Sequence, residues 1–267
     1  FMNAEEYEAY KLSSSNEYSG IGVSVKVNSS GEFEVFSVEE SSPAANAGIA
    51  VGDIITAIDG EDVSDKTLED VSLLIRSKVN KDFPMTLESG GDTKTVTVAC
   101  EIIYKNPVSS RLLDGNIGYI KISNFEAGSS ENTKKAIEQL LQTGATSFIF
   151  DVRNNPGGLL TELFDLLDYI LPEGDLFISV DKSGKETVQT SDKVSLKNKM
   201  IVLVNGNSYS AAEFFAAALQ EYNWATVVGE QTTGKARSQI TLELSDGSAV
   251  HISTHKYLTP NRVDLAE

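Results

Sequence analysis

The 267-residue chain has one cysteine and two histidines, and its 22 lysines and arginines are outnumbered by 39 acidic residues. A lone cysteine excludes an intrachain disulfide and fits either a reducing compartment or an exported protein built without disulfides. Cys100 lies in TVTVACEII, an alternating strand pattern, and reads as a small buried hydrophobe rather than a nucleophile. The formal net charge of −17, with no cluster of Lys and Arg, argues against nucleic acid as a partner and disfavours an anionic membrane surface. No apolar run approaches the ~20 residues of a membrane-spanning helix. There is no internal repeat and no low-complexity tract. The first residues, FMNAEEYEAYKLSSS, lack the charged-then-apolar pattern of a signal peptide, and the chain is expected to begin downstream of a removed targeting segment.

What is present is the composition of a folded protein, 40% hydrophobic and 23% charged, at a length that favours two domains. AEEYEAYKL predicts a short helix within an N-terminal segment, residues 1–17. Residues 18–106 are rich in strand patterns: GIGVSVKV, EFEVFSV, the Asp59-Gly60 turn, and a closing hairpin through FPMTLES and TKTVTVACEII. Between them LEDVSLLIRSKV carries Leu68, Val71, Leu74, Ile75 and Val79 at helical spacing. Near Asn106-Pro107 the rhythm changes, and over 107–267 apolar strands alternate with amphipathic helices. That pattern predicts a mostly parallel sheet with helices packed against it. The fold class is therefore two-domain, one part β-rich and the other α/β.

In such a sheet the C-terminal ends of parallel strands meet at one edge, where ligands bind. Three loops leave strands of this kind: RNNPGG after FIFDV, NGNSYSAAE after MIVLV, and GEQTTGKARSQ after ATVV. The first two also open helices, whose free N–H groups suit a developing oxyanion. The third nearly spells a phosphate-binding loop, but Ala236 stands where a Ser or Thr is needed. The sequence after Lys235 alternates like a hairpin around Asp246-Gly247 rather than continuing as a helix.

Ser208 and Ser210 are the candidate nucleophiles in the second loop. Ser210 and Glu213 also match a helix capping box, S-x-x-E, and a cap and a nucleophile are compatible. A serine needs a base. His251 and His255, four apart in a strand pattern that would put them on one face, have no carboxylate or third ligand at suitable spacing, and GNSYS fails the G-x-S-x-G elbow. Lys235 remains, because a lysine removed from water becomes able to accept a proton from a nearby serine. A penicillin-recognising Ser-Lys enzyme would need S-x-x-K on a helix, and the one candidate, STHK at 253–256, is strand-like.

With these residues in view the chain resembles the carboxy-terminal processing proteases, or tail-specific proteases, a serine peptidase family. YSGIGVSV and SPAANAGIAVGDIITAIDGEDV are similar to the family's PDZ domain. IGYIKISNF, DVRNNPGGLL, VLVNGNSYSAAE and GEQTTGKARSQ follow in family order, with Ser210 and Lys235 separated by the family's 25 residues. The resemblance implies a PDZ domain joined to a crotonase-like α/β serine protease core. It implies Ser210 as nucleophile, Lys235 as general base, Gln239 as the residue orienting the lysine, and the N–H groups of Gly157, Gly158 and Ala211 as oxyanion donors. Ser19, Gly20, Ile21 and Gly22 would receive a peptide's terminal carboxylate, and Arg76 would couple peptide binding to the active site. The sequence departs from the family at Tyr209, where a small residue is usual, and near Thr233. The implied partners are protein or peptide substrates with a free C-terminus, with no metal, nucleotide or other cofactor. The location the resemblance implies is extracytoplasmic in a bacterium. Family members run on past the residues corresponding to Thr259-Pro260, and their flanking segments mediate pairing, which leaves room for a homo-oligomer. The alternative is a peptide-binding scaffold whose protease core is latent, with Lys235 turned away.

Overall fold

A computed structural model describes residues 1–266. The chain divides into two compact units, residues 17–105 and residues 1–16 with 106–267.

Helix α1 (Ala4–Ser14) begins with a reciprocal cap: the Asn3 side chain accepts from Glu6 N–H, and the Glu6 carboxylate accepts from Asn3 N–H. It buries no residue of its own, so propensity and capping alone would leave so short a helix marginal. It is held to the larger unit at both ends. Met2 and Ala249 exchange backbone hydrogen bonds at 2.8 Å, and Asn16 donates to the Ala127 carbonyl at 2.9 Å.

The smaller unit contains β1 (Glu17–Gly20), β2 (Val23–Val27), β3 (Phe33–Val38), α2 (Pro43–Asn46), β4 (Ile54–Ile58), β5 (Glu61–Asp62), α3 (Leu68–Arg76), β6 (Lys81–Ser89) and β7 (Asp92–Tyr104). The strands form one sheet in the order β1-β7-β6-β4-β3-β2, with β5 beside β4. Its core includes Val35, Ile58, Met85, Leu87 and Cys100, so the lone thiol is indeed a packing residue, and burial pushes its pKa up. Helix α3 is capped by Thr67 and Asp70 and buries Val71 and Ile75, whereas Leu68 of the expected stripe is exposed. Strand β2 ends the sheet order, so one of its edges is unpaired within the sheet. Beside it lies a cavity of about 280 Å³ whose lining includes Ser19, Ile21, Val23, Leu68, Val71 and Arg76. Gly22 is obligatory at its position: its φ is +82°, and a Cβ there would lie 2.2 Å from Ser42 Cβ.

The larger unit continues with β8 (Val108–Leu113), β9 (Ile117–Ile122), α4 (Ser129–Gln142), β10 (Ser147–Asp151), α5 (Leu160–Ile170), β11 (Gly174–Val180), β12 (Glu186–Ser191), β13 (Lys199–Val204), α6 (Ala211–Glu221), β14 (Ala225–Gly229), β15 (Arg237–Glu243) and β16 (Ala249–Leu258). Strands β14-β13-β10-β9 form a parallel sheet extended by antiparallel β8. A second, antiparallel sheet, β12-β11-β16-β15, extends the hairpin expected at Asp246-Gly247 with two further strands beyond those expected from the sequence. The polar β12, ETVQTS, is exposed up to its last residue and carries no apolar alternation.

Helix α6 sits at the centre of this unit. Ala211, Ala212, Phe214, Phe215, Ala216, Ala218 and Leu219 are all buried, which is the signature of a helix enclosed on most sides. Phe215 packs 5.7 Å from both Phe125 and Phe150, and Phe214 lies 4.9 Å from Phe177. Phe215→Ala is expected to cost about 3–5 kcal/mol in a denaturant titration, because the cavity would open in a closed aromatic cluster. The exposed Leu242→Ala should stay within about 0.5 kcal/mol of the parent. Similar losses for the two variants would contradict this placement of the core.

Candidate active site

Each of the three strand-end loops is locked by its own side chains before any catalytic residue is considered. Asn155, fully buried, donates to the Ile122 carbonyl at 2.9 Å and accepts from Gly157 N–H at 2.8 Å. Asn205 accepts from Asn154 N–H at 2.9 Å and donates to the Asn154 side chain at 2.8 Å, joining the loops after β10 and β13. Ser208 Oγ donates to the Val152 carbonyl and accepts from Asn205 N–H, and the residue is fully buried. Ser208 is thereby committed to holding the loop. Thr233 Oγ1 donates to the carbonyls of Gly206 and Ser208, tying in the loop after β14.

On this frame Ser210 stands at the start of α6 with φ 56° and ψ −115°, a conformation that L-residues rarely adopt and that the surrounding bonds must hold. Tyr209 N–H donates to the Asn155 carbonyl on one side of it. On the other, Glu213 accepts from Ser210 N–H at 2.7 Å. Gly157 passes directly beside it, and Gly158 lies against the Phe125 backbone. A Cβ on Gly157 would lie 2.9 Å from Ser210 Cβ and 3.0 Å from Ala211 N, and one on Gly158 would lie 2.4 Å from the Phe125 carbonyl carbon. The glycines thus allow the closest approach of two backbones at this point. Of the three expected oxyanion donors, Gly157 N–H is already given to Asn155.

Lys235, half-buried, donates from Nζ to Gln239 Oε1 at 2.6 Å and lies 4.7 Å over the Tyr209 ring. The Tyr209 ring therefore serves as a platform under the lysine side chain. The Lys235 carbonyl accepts from the Tyr257 hydroxyl. Tyr257 is only 2% exposed, and burial pushes its pKa above the ordinary tyrosine range while a hydrogen bond with the Ser210 side chain acts in the opposite direction. Among the described residues no hydrogen bond joins Ser210 Oγ to Lys235 Nζ.

The histidines lie elsewhere in bonding terms. His251 Nδ1 meets Thr241 Oγ1 at 2.8 Å, His255 Nδ1 meets Thr254 Oγ1 at 2.9 Å, and burial followed by the Lys235 charge holds the His251 pKa down. The bulge opposite Ser238 and Gln239 inserts Thr254 between Ser253 and His255, which breaks the alternation required for a shared histidine face. Among the described residues no cluster of three His, Cys, Asp or Glu side chains converges as a metal site would.

In the smaller unit, Ser19 and Gly20 belong to β1, while Ser19 and Ile21 line the groove beside α3. Gly22 closes the turn against Ser42. Arg76 is exposed at the groove, and its charge acts on Tyr18, whose hydroxyl is pushed up to about 12 by burial and then by Glu39.

The sequence match is consistent with this arrangement. The family model for a PDZ domain covers residues 34–89, and that for Peptidase family S41 covers residues 116–267. The chain belongs to peptidase family S41 and carries a PDZ domain in its smaller unit. It is 33% identical to a carboxyl-terminal-processing protease of Synechocystis sp. over 99% of this chain and 64% of that protein. The corresponding values for one of Picosynechococcus sp. are 35%, 99% and 66%. The chain therefore spans just under two thirds of the length of these relatives. Among solved structures, the photosystem II D1 C-terminal processing protease aligns with a TM-score of 0.56 at 26% identity, covering 100% of this chain and 74% of that one. An S41 protease structure from Bacteroides fragilis shares the fold, with a TM-score of 0.62 at 17% identity over 92% of this chain and 73% of that one.

Sequence reasoning missed Asn155, Asn205, Thr233 and Tyr257. The asparagine-rich turns RNNPGG and NGNSYS were the available signal, since Asn side chains close turns onto nearby backbone. Also missed was Glu126, which follows Phe125 beside Gly158. One of its carboxylate oxygens is buried without a partner among the described residues, and burial, then Glu162, pushes its pKa up to about 7. With the folded pKa above the ordinary carboxylate value, its contribution to stability is fully present below about pH 4.5 and is lost as pH rises through about 7. Glu126→Gln should accordingly raise the melting temperature by roughly 2–5 °C at pH 8 and leave it near the parent's value at pH 4.5. An equal change at both pH values would contradict this.

Proposed function

We propose that the chain is the PDZ and catalytic portion of a serine endopeptidase that recognises the C-terminal tail of protein substrates and cuts with a Ser-Lys dyad. The observation that carries the reading is Ser210, held at positive φ at the start of a buried helix beside the Gly157-Gly158 loop, with its main chain joined through Glu213 to that of Lys235, whose side chain pairs with Gln239 of β15. In this reading Ser210 Oγ attacks the scissile carbonyl carbon while Lys235 takes its proton. The N–H groups of Ala211 and Gly158 stabilise the oxyanion, and Gln239 keeps the lysine oriented. Collapse of the tetrahedral intermediate breaks the C–N bond, and Lys235 returns the proton to the leaving amine. Water, deprotonated by the same lysine, then releases the acyl group and restores Ser210.

The PDZ unit suits an extended peptide added to the open edge of β2 and flanked by α3, with its terminal carboxylate at Ser19 to Gly22. Arg76, on that groove, is the residue proposed to report occupancy. Membership of this family also supports an extracytoplasmic bacterial location. No helix among the described residues is long and apolar enough to cross a membrane.

A second reading has its own support. Lys235 Nζ is engaged by Gln239 and Tyr209 and, among the described residues, makes no hydrogen bond to Ser210 Oγ, which is what a latent core would show before the lysine turns to the serine. In that state the chain binds tails without cutting them.

Mass-spectrometric digestion of an unfolded protein ending in small apolar residues tests both readings. The parent is expected to cleave it in a tail-dependent manner, Ser210→Ala and Lys235→Ala to lose at least ~10³-fold in rate, and Arg76→Ala to lose the stimulation by tail peptide. Cleavage that survives in Ser210→Ala would contradict the dyad. Tail binding by a parent that does not cleave would select the latent reading. Unchanged stimulation in Arg76→Ala would remove that residue's role.

A further inference from the structure

Glu213 occupies the third position of α6, where the S-x-x-E spacing requires it only to accept the Ser210 N–H. Its side chain does more than that. One carboxylate oxygen, Oε2, accepts from Ser210 N–H at 2.7 Å and also from Lys235 N–H at 3.1 Å, and the other, Oε1, accepts from Gly234 N–H. The residue is 3% exposed. A carboxylate so far out of water is costly unless hydrogen bonds satisfy it, and here backbone donors from two loops do so.

Those loops lie more than twenty residues apart in sequence, and each carries one member of the proposed dyad. The opposite side of the same peptide segment is also fixed, because the Lys235 carbonyl accepts from the buried Tyr257 hydroxyl. The main chain of Lys235 is thus gripped at its N–H by Glu213 and at its C=O by Tyr257, while its side chain is held separately, by Gln239 and the Tyr209 ring. A capping role alone would need none of the contacts to Gly234 and Lys235.

We infer that Glu213 is a positioning residue for the dyad: its carboxylate, shared by the backbone N–H groups of Ser210, Gly234 and Lys235, fixes the separation of the two catalytic main-chain segments. The inference rests on the Ser210-Lys235 reading of the site, which the digestion of the parent protein tests separately. Glutamine has nearly the same shape but one acceptor oxygen. In either orientation its NH₂ faces an N–H that the carboxylate satisfied, so at least one bond is replaced by a donor-donor contact.

The test is Glu213→Gln in the full chain, read in two ways. Steady-state proteolysis is expected to show kcat reduced on the order of 10- to 100-fold with KM within about twofold, the loss expected from one charge-assisted hydrogen bond that orients the reacting groups. Amide exchange by NMR is expected to show Ser210, Gly234 and Lys235 losing protection together while the amides of β10 and β13 keep theirs. A folded variant with kcat within twofold of the parent, or with the Gly234 and Lys235 amides as protected as before, would overturn the inference. Should the variant fail to fold, the parent decides: the three amides must exchange slowly and at matched rates, and fast exchange at Gly234 or Lys235 would overturn it. The exchange measurement requires no turnover, so for a parent that does not cleave, as the latent reading has it, protection at Ser210, Gly234 and Lys235 alone decides the role of Glu213.

Discussion

The enclosure of α6 is the constraint on which the rest of the larger unit depends. A helix buried on most of its surface leaves its amino end as the place where free N–H groups meet solvent, and the end of this helix is Ser210. The aromatic cluster around Phe214 and Phe215 fixes the helix, and the strand ends on either side of it then fix the loops. Packing of this kind sets backbone position to within a fraction of an ångström, which hydrogen bonds between mobile loops would not do. The strained backbone at Ser210 persists because Asn155, Glu213 and the glycine loop hold it from three directions.

The site separates into a rigid part and a part with a choice. Ser208, Asn155, Asn205 and Thr233 are all hydrogen-bonded into the frame, and Lys235 is fixed along its backbone. The Lys235 side chain meets Gln239 and the ring of Tyr209, and in the proposed chemistry turns to Ser210. On the proposed function such a division would let a small reorientation of one side chain change activity without disturbing the fold. The acidic surface and the buried lone thiol stand outside this logic and serve solubility and packing.

Much of this was legible in the sequence where a local pattern carried it. The strand-helix alternation after residue 106, the turn at Asp246-Gly247, the helix over 68–76 and the burial of Cys100 each follow from periodicity or turn chemistry. Strand β12 was not legible, since it is polar almost throughout and gives no alternation, whereas the apolar run of β11, LFISV, was a signal passed over. At the site, the resemblance pointed to Ser210, Lys235 and Gln239 as candidates, but the bonds that arrange these residues were not legible. Ser208 reaches Val152 across 56 residues, Asn154 reaches Asn205 across 51, and Glu213 reaches Lys235 across 22. Glu213 could be read only as a cap, because its second loop becomes its neighbour through the sheet and not through the chain. The histidine face failed for a related reason, a single inserted residue at a bulge that alternation cannot foresee.

The most direct measurement of the site is covalent labelling of the folded chain with a fluorophosphonate at pH 8, followed by peptide mapping. One adduct is expected, on Ser210, with its rate of formation falling at least ~10-fold when Lys235 is replaced by alanine. An adduct on another serine, no adduct in the folded chain, or a Ser210 rate indifferent to Lys235 would contradict the assignment of these two residues as nucleophile and base.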